Sequence, residues 1–178
     1  MIATVDTIPS PFVVSIDDRE GLPFGFANIK GDARDGNKRI DVATEVCRLA
    51  TGDYTIRTMT GQSYADDIAI ERKSHSDLFS TLGNGRERFE AELERLNEMD
   101  FAAVVVESSW HQIAYEPPER SRMNPKCVMR SILAYSQRFP RVHWFPMGTR
   151  AMAEVTCYRL LERFYRDRIR AEIAEAVA

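Results

Sequence analysis

Alternating apolar and polar residues predict a strand near the middle of the chain, in the run Ile-Ala-Ile-Glu-Arg-Lys that begins at Ile68. Successive side chains of a strand point to opposite faces of a sheet. A strand over residues 67–73 therefore directs Ile68 and Ile70 into a core and places Glu71 and Lys73 on the other face. The pattern predicts a carboxylate and an ammonium group close together at the end of this strand.

Other apolar runs predict further strands, and apolar residues at helical spacing predict helices between and after them. The predicted strands cover residues 12–16, 40–49, 53–59, 101–106 and 142–145. The predicted helices cover residues 74–83, 86–99, 124–138 and 150–177. We expect an α/β domain in which the strands before residue 74 form an antiparallel meander and residues 1–10 form a loose arm.

Length and composition indicate one globular domain, because 44% of the 178 residues are apolar and 29% are charged. No apolar run reaches transmembrane length, and Asp6, Pro9 and Pro11 interrupt any signal-peptide core. We therefore expect a cytoplasmic protein without a membrane partner. The cysteines are odd in number and widely spaced, which predicts reduced, buried thiols; they are Cys47, Cys127 and Cys157.

The formal net charge of −3 gives no support for broad, nonspecific affinity for nucleic acid. The basic residues are nevertheless uneven, with 20 arginines against 4 lysines. Arginine is the better bidentate ligand for phosphate. The charge balance is therefore compatible with a phosphate-binding protein but does not argue for one.

Two acids and one lysine on neighbouring strand ends predict a metal-dependent hydrolytic site. Asp53 begins one predicted strand, and Glu71 and Lys73 end the next. Carboxylates are hard oxygen ligands that suit Mg2+ or Mn2+, and such an ion activates water and neutralises charge on a phosphodiester. The lysine would orient water or stabilise the transition state. From these residues alone, a solvated and paired surface cluster is the interpretation that we favour.

The linked motifs resemble the nuclease domain of XPF-type structure-specific endonucleases, whose relatives include archaeal Hef. That family carries Gly-Asp, a spacer and then Glu-Arg-Lys-x-x-x-Asp. This chain has Gly52-Asp53, a spacer of 17 residues and then Glu71-Arg72-Lys73-x-x-x-Asp77, preceded by Asp17-x-Arg19-Glu20. The resemblance also includes Asn84-Gly85-Arg86 and spans about residues 12 to 165.

The resemblance implies a restriction-endonuclease-like core, in which a central mixed sheet is flanked by helices. It also implies Mg2+- or Mn2+-dependent cleavage of DNA near flaps or junctions. Carried over by position, the metal-binding acids are Asp17, Asp53 and Glu71, and the catalytic lysine is Lys73. The other positions that matter for activity or for DNA contact in the family correspond to Arg19, Glu20, Arg72, Asp77 and Arg86.

Several of these residues have an alternative interpretation. Asp77 either serves the site or caps the helix that Ser74 begins. The loop at residues 116–122 either approaches DNA or, as we favour, is an ordinary surface loop. Four arginines of the last helix form one stripe, which is either a DNA contact or, as we favour, a solvated face paired with acids; they are Arg159, Arg163, Arg166 and Arg170.

The function that the residues and the resemblance together predict is that of a DNA endonuclease acting on branched or flap DNA, nucleoid-associated in a bacterial or phage setting. The alternative is a non-catalytic DNA-binding subunit that pairs with another nuclease. The 178 residues leave no room for the tandem helix-hairpin-helix module of many family members. We therefore expect a homodimer or a partner nuclease or helicase subunit to contribute to DNA affinity.

Overall fold

A computed structural model describes residues 7–177, and within this range the chain forms one six-stranded mixed sheet with helices on both faces. The strands are β1 (Thr7–Asp17), β2 (Arg39–Cys47), β3 (Tyr54–Thr58), β4 (Ile68–Lys73), β5 (Phe101–Val106) and β6 (Val142–Pro146). The helices are α1 (His75–Leu82), α2 (Arg86–Leu96), α3 (Trp110–Tyr115), α4 (Pro125–Arg138) and α5 (Arg150–Val177), with a short 3-10 helix at Ala33–Asp35.

The order of the strands in the sheet is β2-β1-β3-β4-β5-β6. Strands β1, β3 and β4 pair antiparallel, whereas β4, β5 and β6 pair parallel. The predicted meander is wrong for β2, which lies at the edge and runs parallel to β1. The long connection at residues 18–38 allows this crossover, because a parallel pair cannot be joined by a tight turn.

The first strand begins earlier than the sequence predicts. Residues 7–10 belong to β1 and pair with the start of β2, so this part of the predicted arm is wrong. Residues 1–6 lie outside the described residues. The expected alternation of polar and apolar residues is weak here because Pro9 and Pro11 interrupt the strand, and the register with β2 shifts between Pro9 and Val13.

The two faces of the sheet bury separate cores, as the alternation in β4 predicts. Ile68 and Ile70 pack on one face with Tyr158 of α5. Ala69 packs on the other face with residues from α1, α2 and α4. Strand β5 is covered on both faces, which explains its uninterrupted apolar sequence.

Local chain geometry brings together the C-terminal ends of β1 and β4 and the N-terminal end of β3, on one side of the sheet. The Ser74 side chain accepts a hydrogen bond from the Asp77 N–H, which ends β4 and starts α1. Before β3, Gly52 adopts φ +72°, and a Cβ atom there would lie 2.8 Å from the Ala69 Cβ. The turn into Asp53 therefore requires glycine both for its conformation and for its contact with β4.

Three further details correct or extend the sequence predictions. Helix α3 is missing from them, although Ser109 and Gln112 form a capping box at its start. The prediction of buried thiols is confirmed for Cys157 only, since Cys47 is partly buried and Cys127 is exposed. Within residues 7–177, no helix combines the length and apolarity that a bilayer crossing demands.

We predict that Gly52→Ala lowers the melting temperature more than Gly36→Ala does. Both glycines have positive φ, 72° and 65°, but a Cβ at Gly36 meets nothing within 4 Å. Both variants lose about 1–2 kcal/mol through backbone strain, and Gly52→Ala adds an overpacking cost of about 1–3 kcal/mol. Thermal unfolding of the two variants measures the difference. Equal melting temperatures would contradict the tight contact between Gly52 and β4.

Candidate active site

The acids predicted for the site lie together at one edge of the sheet, where β1 and β4 end and β3 begins. The backbone N–H of Asp17 donates to the carbonyl of Asp53 at 2.9 Å, and the N–H of Asp53 donates to the carbonyl of Ile70 at 2.9 Å. These bonds fix the three strand ends relative to one another. Asp17, Asp53 and Glu71 all line one groove beside Lys73.

Asp53 and Glu71 concentrate negative charge at a buried position. The Asp53 carboxylate accepts a 2.7 Å hydrogen bond from the backbone N–H of Arg72. Burial, and then the charge of Glu71, raise the pKa of Asp53 above its ordinary range. Burial also raises the pKa of Glu71, whose side chain is only 10% exposed. Two neighbouring carboxylates that resist ionisation form a local site for a compensating cation.

Lys73 supplies part of that compensation. Its ammonium group pairs with the Glu71 carboxylate and lies 5.1 Å from the centre of the Phe89 ring. Burial lowers the pKa of Lys73, but the charge and hydrogen bond of Glu71 outweigh it, and the net pKa is raised. Lys73 therefore remains a cation in this arrangement and does not act as a proton acceptor.

Asp17 differs from the other two acids because hydrogen bonds already occupy its carboxylate. Arg19 donates three of them, from its backbone N–H and its guanidinium, and the Leu49 N–H donates a fourth at 2.9 Å. Burial raises the pKa of Asp17, but these hydrogen bonds outweigh it and lower the pKa to about 2. Asp17 thus anchors the end of β1, and Arg19 would have to release it before it bound a metal.

Arg72 and Glu20 belong to a buried ion-pair network that borders the groove, and both residues also line it. The Arg72 guanidinium contacts Glu107 at 2.7 Å and Glu20 at 3.1 Å, and its side chain is 6% exposed. Arg150 of α5 reaches the same Glu107 oxygen at 2.7 Å. The network joins β4, β5 and the start of α5, so Arg72 positions the site through its backbone and its ion pairs.

The structure places Asp77 at the rim of the groove and Arg86 outside it. Asp77 is exposed, and its carboxylate accepts a 2.6 Å hydrogen bond from the Ser74 hydroxyl, so it caps α1 as well as lining the groove. Arg86 donates to Tyr135 at 2.9 Å and to Ser131 at 2.7 Å, which joins α2 to α4. DNA contact by Arg86 remains a prediction, and its guanidinium is engaged elsewhere in this structure.

Helix α2 contributes Glu92 and Arg95, which the sequence predictions missed. It also contributes Arg88, which the sequence leaves open as either a phosphate contact or a solvated arginine. Arg88, Glu92 and Arg95 line the groove. Glu92 accepts a 2.9 Å hydrogen bond from the Gly52 N–H and therefore holds the turn before Asp53. The Arg88 side chain has no hydrogen-bond or ion-pair partner among residues 7–177. The spacing of four and then three residues, which places all three on one helix face, is the signal that would have identified Glu92 and Arg95.

The donor chemistry of the groove fits a divalent cation held by two carboxylates. Asp53 and Glu71 offer oxygen atoms in a region of excess negative charge, and Mg2+ commonly binds one or two carboxylates while keeping several waters. In the part of the chain that the structure describes, no group of three His, Cys, Asp or Glu side chains is already arranged as metal ligands. Asp17 is not arranged as a third metal ligand, because its carboxylate already accepts four hydrogen bonds.

Comparison with known proteins identifies the family. The ERCC4 domain matches residues 16–157, so this chain belongs to the ERCC4 domain family, a family of nucleases that are generally structure-specific DNA endonucleases. No curated protein matches the chain in a sequence comparison. The family match covers every acid of the groove and the lysine, which agrees with the predicted resemblance to XPF-type nucleases.

Solved structures support the same assignment at the level of the fold. XPF from Aeropyrum pernix matches with a TM-score of 0.57 and 20% identity, over 92% of this chain and 69% of that chain. XPF from Aeropyrum pernix in complex with DNA matches with a TM-score of 0.57 and 19% identity, over 88% of this chain and 66% of that one. The predicted restriction-endonuclease-like fold, a mixed sheet flanked by helices, is confirmed.

We predict that Asp53→Asn raises the stability of the metal-free protein at alkaline pH. The raised pKa of Asp53 means that the folded state holds the proton more tightly than the unfolded state, so stability falls as pH rises above the ordinary Asp range. Asparagine keeps an acceptor for the Arg72 N–H and removes the charge. Thermal melts in EDTA at pH 8.5 should show a melting temperature above that of the wild type, by about 2–4 °C for each kcal/mol of added stability. The increase should be smaller at pH 5.

We predict the opposite sign for Asp17→Asn. The lowered pKa of Asp17 means that its carboxylate stabilises the folded state above the ordinary Asp range, and that this stability is lost as pH falls toward 2. Asparagine would leave the Leu49 N–H or the Arg19 guanidinium without an acceptor, at a cost of about 1–3 kcal/mol. The same melts at neutral pH should show a lower melting temperature. A shift in the same direction for both variants would contradict the assigned difference between the two acids.

Proposed function

We propose that this protein is a Mg2+- or Mn2+-dependent DNA endonuclease that hydrolyses phosphodiester bonds at flaps, forks or junctions. The observation that carries the proposal is the juxtaposition of Asp53, Glu71 and Lys73 in an open groove at the edge of the sheet. Membership of the ERCC4 domain family supports a nuclease activity. The solved complex of a similar protein, XPF from Aeropyrum pernix, with DNA supports DNA as the substrate.

Asp53 and Glu71 are the residues that would hold the cation. When bound, Mg2+ or Mn2+ supplies an activated water and neutralises charge that develops on the phosphoryl oxygens. The Arg72 N–H fixes the orientation of Asp53, and Glu92 fixes the turn that precedes it. Asp53 is therefore positioned by these hydrogen bonds before a ligand arrives, and Glu71 is held by its ion pair with Lys73.

Lys73 is the proposed transition-state cation. Its ammonium group is paired with Glu71, so cation binding by Glu71 would release it toward the groove. There it would donate hydrogen bonds to a nonbridging phosphate oxygen or to the attacking water. The neighbouring Phe89 ring limits the directions in which the released side chain can swing.

Arg88 is the proposed first contact for the DNA backbone. Its side chain is exposed and lines both halves of the groove beside the acids. With no acid of the described residues bound to it, its guanidinium is available for bidentate binding of a phosphate. The four arginines of the α5 stripe, in contrast, pair with Glu162 and Asp167, which supports the solvated, paired face favoured from the sequence.

The preferred DNA structure and the subunit arrangement are further parts of the proposal. We propose that a second subunit, either another copy of this chain or a partner nuclease or helicase, contributes DNA affinity to the active subunit. The groove itself is open and lined by polar side chains, as backbone recognition requires. Branch selectivity would then depend on how two such subunits orient the arms of the DNA.

We predict that Lys73→Ala lowers cleavage by about 100- to 1000-fold, the usual loss when one charge-stabilising donor is removed. Labelled flap, fork, Holliday-junction and linear duplex DNA should be cut in Mg2+ or Mn2+ and not in EDTA. Lys30→Ala is the matched control, because Lys30 is exposed and lies in the connection between β1 and β2. The ranking of the four substrates measures the selectivity for branches.

The same assay separates an enzyme from a non-catalytic subunit. Glu71→Gln should abolish cleavage while DNA binding persists in gel-shift measurements. A wild-type protein that binds DNA but cuts none of the four substrates would contradict the endonuclease and support a scaffold role. A wild-type protein that binds no DNA at low salt, where phosphate contacts are strongest, would contradict both roles.

A further inference from the structure

We infer that a second groove, beside the active site, binds the phosphate backbone of the DNA strand that continues beyond the cut. The inference rests on the proposed nuclease function and extends it to a binding site of its own. We call this site the arginine groove. It is formed by the end of α1, with Ser80 and Asn84, and by the α3–α4 loop, with Arg120 and Arg122.

The arginine groove is continuous with the active-site groove. Ser80 and Asn84 line both of them, with Lys73 and Asp77 on one side and the two arginines of the loop on the other. Helix α1 has eight residues and therefore runs for about 12 Å from the catalytic end. At about 3.4 Å of duplex axis per phosphate of one strand, this length corresponds to three or four phosphates of a duplex whose axis runs along α1. A DNA strand that lies in the active-site groove would thus reach the arginine groove without bending away from the protein.

The charges in the arginine groove are available for a ligand. Arg120 and Arg122 are exposed, and neither side chain has a hydrogen-bond or ion-pair partner within residues 7–177. Two acids share the loop: Glu116, whose carboxylate contacts His111 at 3.3 Å, and Glu119. The two unpaired arginines lie close together on one short loop beside the active site, in a protein of net charge −3.

The loop is held against α1 in a defined position. The His75 ring, at the start of α1, donates from Nε2 to the carbonyl of Glu116 at 2.8 Å and packs on Phe79. At the other end of the loop, Met123 packs against the core beneath α1, and its N–H donates to the Ser121 hydroxyl at 3.1 Å. Because both ends are anchored, the arginines are presented to the groove at a low entropic cost.

The lining indicates recognition of the backbone and not of the bases. Two guanidinium groups, two hydroxyls and one amide are the donors that bind phosphate and sugar oxygens. The single aromatic side chain in the groove, Phe79, is buried and offers no exposed ring on which a base would stack. The ligand is therefore a run of DNA phosphodiesters, bound independently of sequence.

The test is the salt dependence of DNA binding by Arg120→Ala/Arg122→Ala, measured by fluorescence anisotropy in EDTA to prevent cleavage. Each lost phosphate contact should reduce the slope of log K against log salt by about 0.9 on duplex DNA and about 0.7 on single strands. The double variant should therefore lose about 1.8 or 1.4 from the slope. Parallel titrations of duplex, single-stranded and forked DNA show which form of the backbone occupies the groove.

Two further variants make the test specific. Arg34→Ala/Arg39→Ala removes the same charge from exposed positions that do not line the arginine groove, and it should leave the slope unchanged. Arg120→Lys/Arg122→Lys keeps the charge and should preserve most of the slope. Melting temperatures of all three variants should equal that of the wild type, because the substituted side chains are exposed.

An equal slope for Arg120→Ala/Arg122→Ala and the wild type, while Lys73→Ala still abolishes cleavage, would overturn the arginine groove and leave the proposed nuclease intact. Equal losses for the two alanine double variants would also overturn it, because the effect would then be one of net charge. Absence of DNA binding by the wild-type protein at low salt would overturn the groove together with the proposed function.

Discussion

The hydrogen bond from the Arg72 N–H to the Asp53 carboxylate is the constraint on which the site depends. It joins the beginning of β3 to the end of β4 and holds Asp53 beside Glu71. The arrangement opposes stability, because two buried carboxylates repel each other and each resists ionisation. Lys73 compensates one of the two charges, and a divalent cation would compensate the other. The instability is therefore the physical basis of cation binding.

The ion pairs around Asp53 and Glu71 stabilise the fold against the repulsion between these two carboxylates. Arg72 and Glu107 join β4, β5 and α5, and Arg19 holds Asp17 at the end of β1. Arg72, Arg19 and Asp17 line the groove, and their ion pairs make that lining rigid. Arg88 and the arginines of the α3–α4 loop differ, because they have no partner among the described residues. The paired charges therefore support the site, and the unpaired arginines are available to a ligand.

Local patterns in the sequence predicted most of what depends on local geometry. The alternation at Ile68 to Lys73, the cap at Ser74 and the buried run of β5 are confirmed because each is determined by neighbouring residues. The parallel position of β2 was not predictable, since it depends on a crossover of 21 residues, 18–38, with no periodic signal. The role of Asp17 depends on Leu49, a residue 32 positions away. Glu92 and Arg95, in contrast, carried a helical spacing relative to Arg88 that would have revealed them.

The most direct test of the account is a calorimetric titration of Mn2+ into the metal-free protein and its variants. The account predicts that the wild type binds Mn2+ and that Asp53→Asn and Glu71→Gln each bind at least about 10-fold more weakly, because each removes one of the two carboxylates. Lys73→Ala should keep its affinity for Mn2+ or gain some, since it removes a competing cation. Absence of Mn2+ binding by the wild type, or unchanged binding by Asp53→Asn, would contradict the claim that these two acids form the cation site.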